Sequence, residues 1–199
     1  MNVKPLLRAV GCVLTLGLAG GASAPAHATP DNLLVVPGQH LGRVFLGDSK
    51  TAVHRRLGAP QRTFKLAGGL TSELWRSKPN KSAEAEDGEA PAHYTLEVVY
   101  KSGVVTQIEA SNPVFRTSGG LATDSTPKAW LATLGKAPAT KYRYSGDKSD
   151  QKYYDWASKG VALELQGDEA SGYYGYINTV IVHCKGAKVV VDSGGRLIR

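Results

Sequence analysis

The chain has 199 residues, with 24 Lys and Arg against 17 Asp and Glu, two cysteines and a formal charge of +7. So few cysteines exclude a disulfide framework, and a mild charge without any run of five basic residues excludes nucleic-acid readout as the basis of function. About 170 residues beyond the N-terminal region can remove roughly 70% of the unfolded chain's surface from water, enough for one body without staples.

The first 28 residues read as a secretory leader. Lys4 and Arg8 make its basic end, residues 9 to 22 are apolar and small, and Ala26-His27-Ala28 offers a small-x-small cleavage pattern. Its apolar run is short and glycine-rich for a spanning helix of about 20 residues. Losing it removes two cations and no carboxylate, which lowers the formal charge from +7 to +5. Ala9-Val10-Gly11-Cys12 has the look of a lipoprotein cleavage box, but the apolar run follows the cysteine instead of preceding it, so no lipid anchor is expected. Cys184 is then the one remaining cysteine.

Residues 35 to 46 alternate weakly around Pro37-Gly38 and predict a turn and a short extended segment. Asp48 and Ser49 can cap a helix on which Ala52, Val53 and Leu57 share an apolar face, while His54, Arg55 and Arg56 fall toward the other side. Gly58 and Pro60 end it. Strands are predicted at 63–66, 74–76, 94–100 and 104–108, with Leu96, Val98 and Tyr100 on one face and Ser102-Gly103 as a tight hairpin connection. Residues 77–93 hold no large apolar side chain and read as an exposed loop.

Asp124-Ser125-Thr126-Pro127 then starts a second helix carrying Ala129, Trp130 and Leu134, stopped by Gly135 and Pro138. Strands are predicted at 141–145, 153–156, 161–166 and 176–184. Asp-Ser, a helical Ala, Leu-Gly, a Pro, a Trp (Trp75, Trp156) and a Leu-Glu strand (Leu96-Glu97, Leu163-Glu164) occur in the same order twice. The expected fold is therefore α+β: two tandem repeats, each a short helical segment followed by a small antiparallel sheet, packed as one layered body. The first repeat spans 29–112, the second 113–185, and 186–199 is a tail in which 189–191 could add an edge strand.

The run Gly47 to Pro60, G-x-S-x-x-x-V-x-x-x-L-G-x-P, with a Trp strand and L-x-V-x-Y after it, resembles the SmpA/OmlA (BamE-like) outer-membrane assembly lipoproteins. A tandem pair of such units is similar in layout to the secreted beta-lactamase inhibitor protein. The resemblance implies helices behind a sheet, an extracytoplasmic place and protein binding as the class of function. It departs in two respects. No lipidatable cysteine follows the apolar run, and one cysteine cannot form the inhibitor's disulfides. Its matching positions build the helix and turn, so no binding residue carries over.

Catalytic and metal signatures are sparse. His40, His54, His93 and His183 lie in four elements without the spacing that gathers imidazoles on one ion, so neither a metal site nor a cofactor is expected. His183 and Cys184 are adjacent in a predicted strand and would point to opposite faces, which makes Cys184 a buried, inert thiol. There is no G-x-S-x-G and no phosphate loop. Glu84, Glu86 and Asp87 sit in the loop, and Glu97 and Glu164 read as solvent-facing partners of lysines.

Aromatic residues give the strongest functional signal. Tyr142, Tyr144, Tyr153, Tyr154, Trp156, Tyr173, Tyr174 and Tyr176 crowd one stretch of sheet, and tyrosine unites large apolar area, few rotamers and a polar tip. They are the candidate binding residues. The function expected is a secreted or periplasmic, non-catalytic protein-binding module, in its sharpest form an inhibitor of an extracytoplasmic enzyme. An envelope assembly or maintenance factor is the alternative, and a hydrolase with an unrecognised site is the competing class. The partner is expected to be a protein outside the cytoplasm, with a glycan or envelope polymer as the other ligand class, no nucleic acid, and no membrane span.

Overall fold

The computed structural model describes residues 31–76, 95–144, 150–168, 173–190 and 195–198. The proposed leader and the loop at 77–93 lie outside the described residues. Three two-residue strands come first, β1 (Val35–Val36), β2 (His40–Leu41) and β3 (Val44–Phe45), and pair as a small antiparallel sheet. Helix α1 (Lys50–Leu57) precedes β4 (Arg62–Lys65), β5 (Leu70–Arg76), β6 (Thr95–Lys101) and β7 (Val104–Ala110). Helix α2 (Pro127–Leu134) precedes β8 (Ala139–Tyr144), β9 (Asp150–Trp156), β10 (Val161–Asp168), β11 (Tyr173–His183) and β12 (Gly195–Ile198).

All of β4 to β12 belong to one nine-stranded antiparallel sheet, ordered β12-β8-β9-β10-β11-β7-β6-β5-β4. This corrects the expected fold class: the described residues form a strand-dominated body with two eight-residue α-helices, and not two helical units with a small sheet each. The join is the β7–β11 ladder, where Ala110 faces Val180, Glu109 faces Ile181, Ile108 faces Val182 and Gln107 faces His183. Held apart, each strand would leave a row of unpaired backbone groups beside apolar side chains; joined, they remove both edges.

Both helices lie on one side of this sheet. Trp75, Val98, Tyr100, Ile108, Val161, Leu163, Val180 and Val182 turn to that side and bury against Val53 of α1, Trp130 of α2 and Val35, Leu41 and Val44 of the small sheet. Each helix is nucleated by a hydroxyl: Ala52 N donates to Ser49 Oγ and Ala129 N to Thr126 Oγ1, both at 3.2 Å. Each ends at a glycine with φ +82°, Gly58 and Gly135, whose carbonyl accepts an indole N–H, from Trp75 at 3.3 Å and from Trp156 at 2.8 Å. Backbone bonds from Lys50 to Gly103 and from Val105 to Asp48, both 2.9 Å, fix the start of α1 to the tight β6–β7 hairpin.

The opposite side has a smaller apolar cluster, Tyr153, Ala162, Ile181 and Val189. Residues 184–190 cross this face as a strap. Val190 N donates to Gln107 Oε1 at 2.7 Å while Gln107 Nε2 donates back to Val190 O at 2.8 Å, and Val189 N donates to Asp155 Oδ2 at 3.4 Å. The edge strand expected at 189–191 is displaced: Val189 is buried against the sheet, and β12 is the outermost strand instead, pairing with β8.

Candidate functional site

The tightest polar constellation joins α1 to β5. Lys50 and His54 stand one helical turn apart and reach the same carboxylate, Glu73: Lys50 Nζ lies 2.7 Å from Oε1 and His54 Nε2 2.7 Å from Oε2. Glu73 is 1% exposed, whereas the two basic side chains are 39% and 35% exposed. His54 therefore does not turn away from the sheet as its helical position suggested. It leans edge-on to Trp75, with ring centroids 6.1 Å apart.

Alternation along β5 explains this placement, because Glu73 and Trp75 share the helix side and the indole bond to Gly58 sets α1 above them. Burial pushes the Glu73 carboxyl upward, but the hydrogen bonds to Lys50 and His54 outweigh it and hold the pKa below the usual glutamate value. Tyr100 is buried beside this carboxylate, its hydroxyl without a partner at hydrogen-bond geometry and its pKa driven far up by burial and by the neighbouring charge of Glu73. Lys50 also stands 5.8 Å over the Tyr100 ring.

A second polar group borders the first. Both oxygens of Asp48 accept from the Arg56 guanidinium, and Arg56 also lies over the Phe45 ring at 5.3 Å. His40 meets the same ring at 4.7 Å. With Arg43 and Arg55 exposed nearby, this end of the molecule is basic and aromatic.

The predicted tyrosines divide. Trp156 and Tyr153 are buried, 4% and 5% exposed, on opposite faces of β9, so both serve packing. Tyr154 is half-buried next to Trp156, with Lys152 over its ring at 5.1 Å. Tyr176 is 72% exposed. Tyr142, Tyr144, Tyr173 and Tyr174 lie in strands whose side chains there are outside the described residues. Tyr176 faces Gln166 between two register shifts of the β10–β11 ladder, at Glu164/Leu165 and at Gln166/Asp168.

Glu164 departs from its predicted solvent-facing place. It is 8% exposed, and burial raises its pKa, with bonds to Thr179 and Asn178 opposing and the charge of Glu97 adding to the rise. His183 is 1% exposed; its Nε2 faces Asp155 Oδ1 at 3.1 Å and its Nδ1 faces the Cys184 carbonyl at 3.1 Å. Cys184 lies just past β11 and is partly exposed, which corrects the buried thiol of the sequence reading. His93 is outside the described residues. Among the described residues no group of three metal-ligating side chains converges, and no helix is long and apolar enough to cross a membrane.

No family model matches the chain. A search of curated proteins also found no match. Two solved structures share its outline loosely. One is a cysteine-rich secretory protein from Staphylococcus aureus, at 10% identity and a TM-score of 0.40, covering 79% of this chain. The chain spans about half the length of that protein, 49%. The other is the uncharacterized protein yfeY from Escherichia coli, at 12% identity and a TM-score of 0.46, covering 74% of this chain and 98% of that one. Likenesses this loose carry no functional weight, and the resemblance to the SmpA/OmlA proteins rests on its motif alone.

Proposed function

We propose that the chain is an exported, non-catalytic protein-binding module that meets its partner at the Tyr176 end of the long sheet. Inhibition of an extracytoplasmic enzyme is its sharpest form, and envelope assembly or maintenance the alternative role. Export rests on the leader-like residues 1–28. The observation that carries the binding reading is the tyrosine itself: 72% exposed, on a strand buried at Ile177 and from Thr179 to His183, and set between two register shifts. Such shifts re-aim side chains, and a rigid amphipathic ring held clear of its own core is the usual anchor of a protein interface.

The test uses a photo-crosslinking residue at position 176 and, as control, at Phe64, which is 42% exposed on the edge strand β4. Each variant is irradiated in the envelope and extracellular fractions of the source cell. A discrete protein adduct from position 176, competed by the unmodified chain and not by Tyr176→Ala, supports the reading. Equal adducts from both positions, or full competition by Tyr176→Ala, overturn it. A captured enzyme that slows when the chain is added selects inhibition over envelope assembly.

One observation favours the competing class. Glu73 holds His54 by Nε2, the arrangement in which a carboxylate orients an imidazole so that its other nitrogen serves as a base. A hydrolase of this design requires turnover that His54→Gln abolishes with the fold intact.

A further inference from the structure

The strap at 184–190 does more than close the sheet face. Between it, the β6–β7 hairpin and the turn before β5 lies an open-sided cavity of about 370 Å³. That volume is at the small end of the range, about 300 to 1,000 Å³, typical of small-molecule sites. Leu70, Ala187 and Val190 supply apolar wall, with Thr106, Gln107 and Cys184 beside them. Gln107 is 1% exposed, and its amide is spent on the Val190 backbone and on Glu109, so the wall is fixed and leaves no amide group for a ligand to desolvate.

Lys101 and Lys188 complete the lining from opposite sides, both exposed, and among the described residues neither meets a carboxylate. Two ammonium groups that meet no carboxylate among the described residues, beside an apolar wall, complement one kind of ligand. We propose that this cleft binds a small amphipathic carboxylate, its apolar body against Leu70, Ala187 and Val190 and its anionic head between Lys101 and Lys188. The site is separate from the Tyr176 surface and does not depend on it.

Cys184 reports on occupancy. In the full chain carrying Cys12→Ser it is the single thiol, and its rate of alkylation by neutral N-ethylmaleimide measures access to the cleft. Decanoate below its micelle concentration should slow alkylation at least fivefold, with saturation. Decyltrimethylammonium, with the same chain and the opposite charge, should change it less than twofold. Lys101→Gln with Lys188→Gln should remove the protection by decanoate while leaving the unliganded rate and the melting temperature in place, and Tyr176→Ala should leave protection unchanged. No protection by decanoate, equal protection by the two amphiphiles, or protection that survives loss of both lysines would each overturn the proposal. Equal slowing by phosphatidylglycerol vesicles without decanoate would also overturn it, because the cleft would then be reading a lipid surface and not a free anion.

Discussion

α1 and α2 make an instructive pair because their backbones are fixed by the same devices and their side chains are not. A hydroxyl caps each start, a glycine ends each, and an indole from the sheet donates to that glycine's carbonyl. Four residues before the glycine stand His54 in α1 and Leu131 in α2; eight before it, Lys50 and Pro127; two before the indole, Glu73 and Tyr154. The first set forms an ion cluster around a buried carboxylate, and in the second set Leu131 and Tyr154 pack against the apolar core. The lesson is that the helix ends specify placement alone. The seat beneath can be electrostatic or apolar, and only the electrostatic seat responds to pH.

The largest effect should come from removing the packing on the α2 side. Trp130 is fully buried and donates to Ala122 O at 3.1 Å, so Trp130→Ala should cost about 4 kcal/mol in urea unfolding, against about 2 kcal/mol for Val53→Ala beneath α1. Comparable losses at the two sites would break the contrast between an apolar seat and a charged one.

Next comes the charge itself. Glu73→Gln should cost about 2 kcal/mol at pH 7, below the usual figure for a broken buried pair because Lys50 and His54 remain partly solvated. The sign with pH follows from the lowered Glu73 pKa: its stabilisation is present above the unfolded-state value and is lost as pH falls through the folded-state value. The penalty of Glu73→Gln should therefore vanish in acid, while that of Trp130→Ala persists; a Glu73→Gln penalty unchanged at pH 3 would count against the ion cluster.

Gly58→Ala and Gly135→Ala should each cost about 2 kcal/mol, since φ is +82° at both with extended ψ, a region open to glycine, and no atom crowds either position. Unequal costs would mean that the two helix ends are less alike than their geometry. The smallest effect has the opposite sign. Glu164 has a raised pKa, so its folded-state preference for the protonated form disappears as pH rises through the folded value, and Glu164→Gln should stabilise by about 1 kcal/mol at neutral pH.

Much of the scaffold was legible. Ser49, Gly58, Thr126-Pro127 and Gly135 announce both helices, and the β6 alternation puts Leu96, Val98 and Tyr100 on one face as read, the face that turns out to be buried against the helices. The single sheet was not legible, because pairing β7 with β11 joins residues about 70 positions apart and neither strand's pattern says whose edge it will meet. Glu73 was missed because the strand was predicted at 74–76, one residue short of it, whereas β5 begins at Leu70, and a lone glutamate beside a strand reads as solvated. The available signal was the Lys50–His54 spacing of four, combined with the phase of Glu73 and Trp75 in β5. Tyr153 and Trp156 were overvalued as surface because neighbouring positions in a strand serve opposite faces, and here both faces are covered.

The most direct test is an NMR titration of the side-chain carboxyl carbons of Glu73 and Glu164 in the same sample. Glu73 should titrate below the ordinary glutamate range, together with a loss of α1 protection against hydrogen exchange, and Glu164 above it with α2 unaffected. Glu73 titrating at or above the ordinary glutamate value, or an acid loss of protection in α2 as large as that in α1, would contradict the distinction between the two seats.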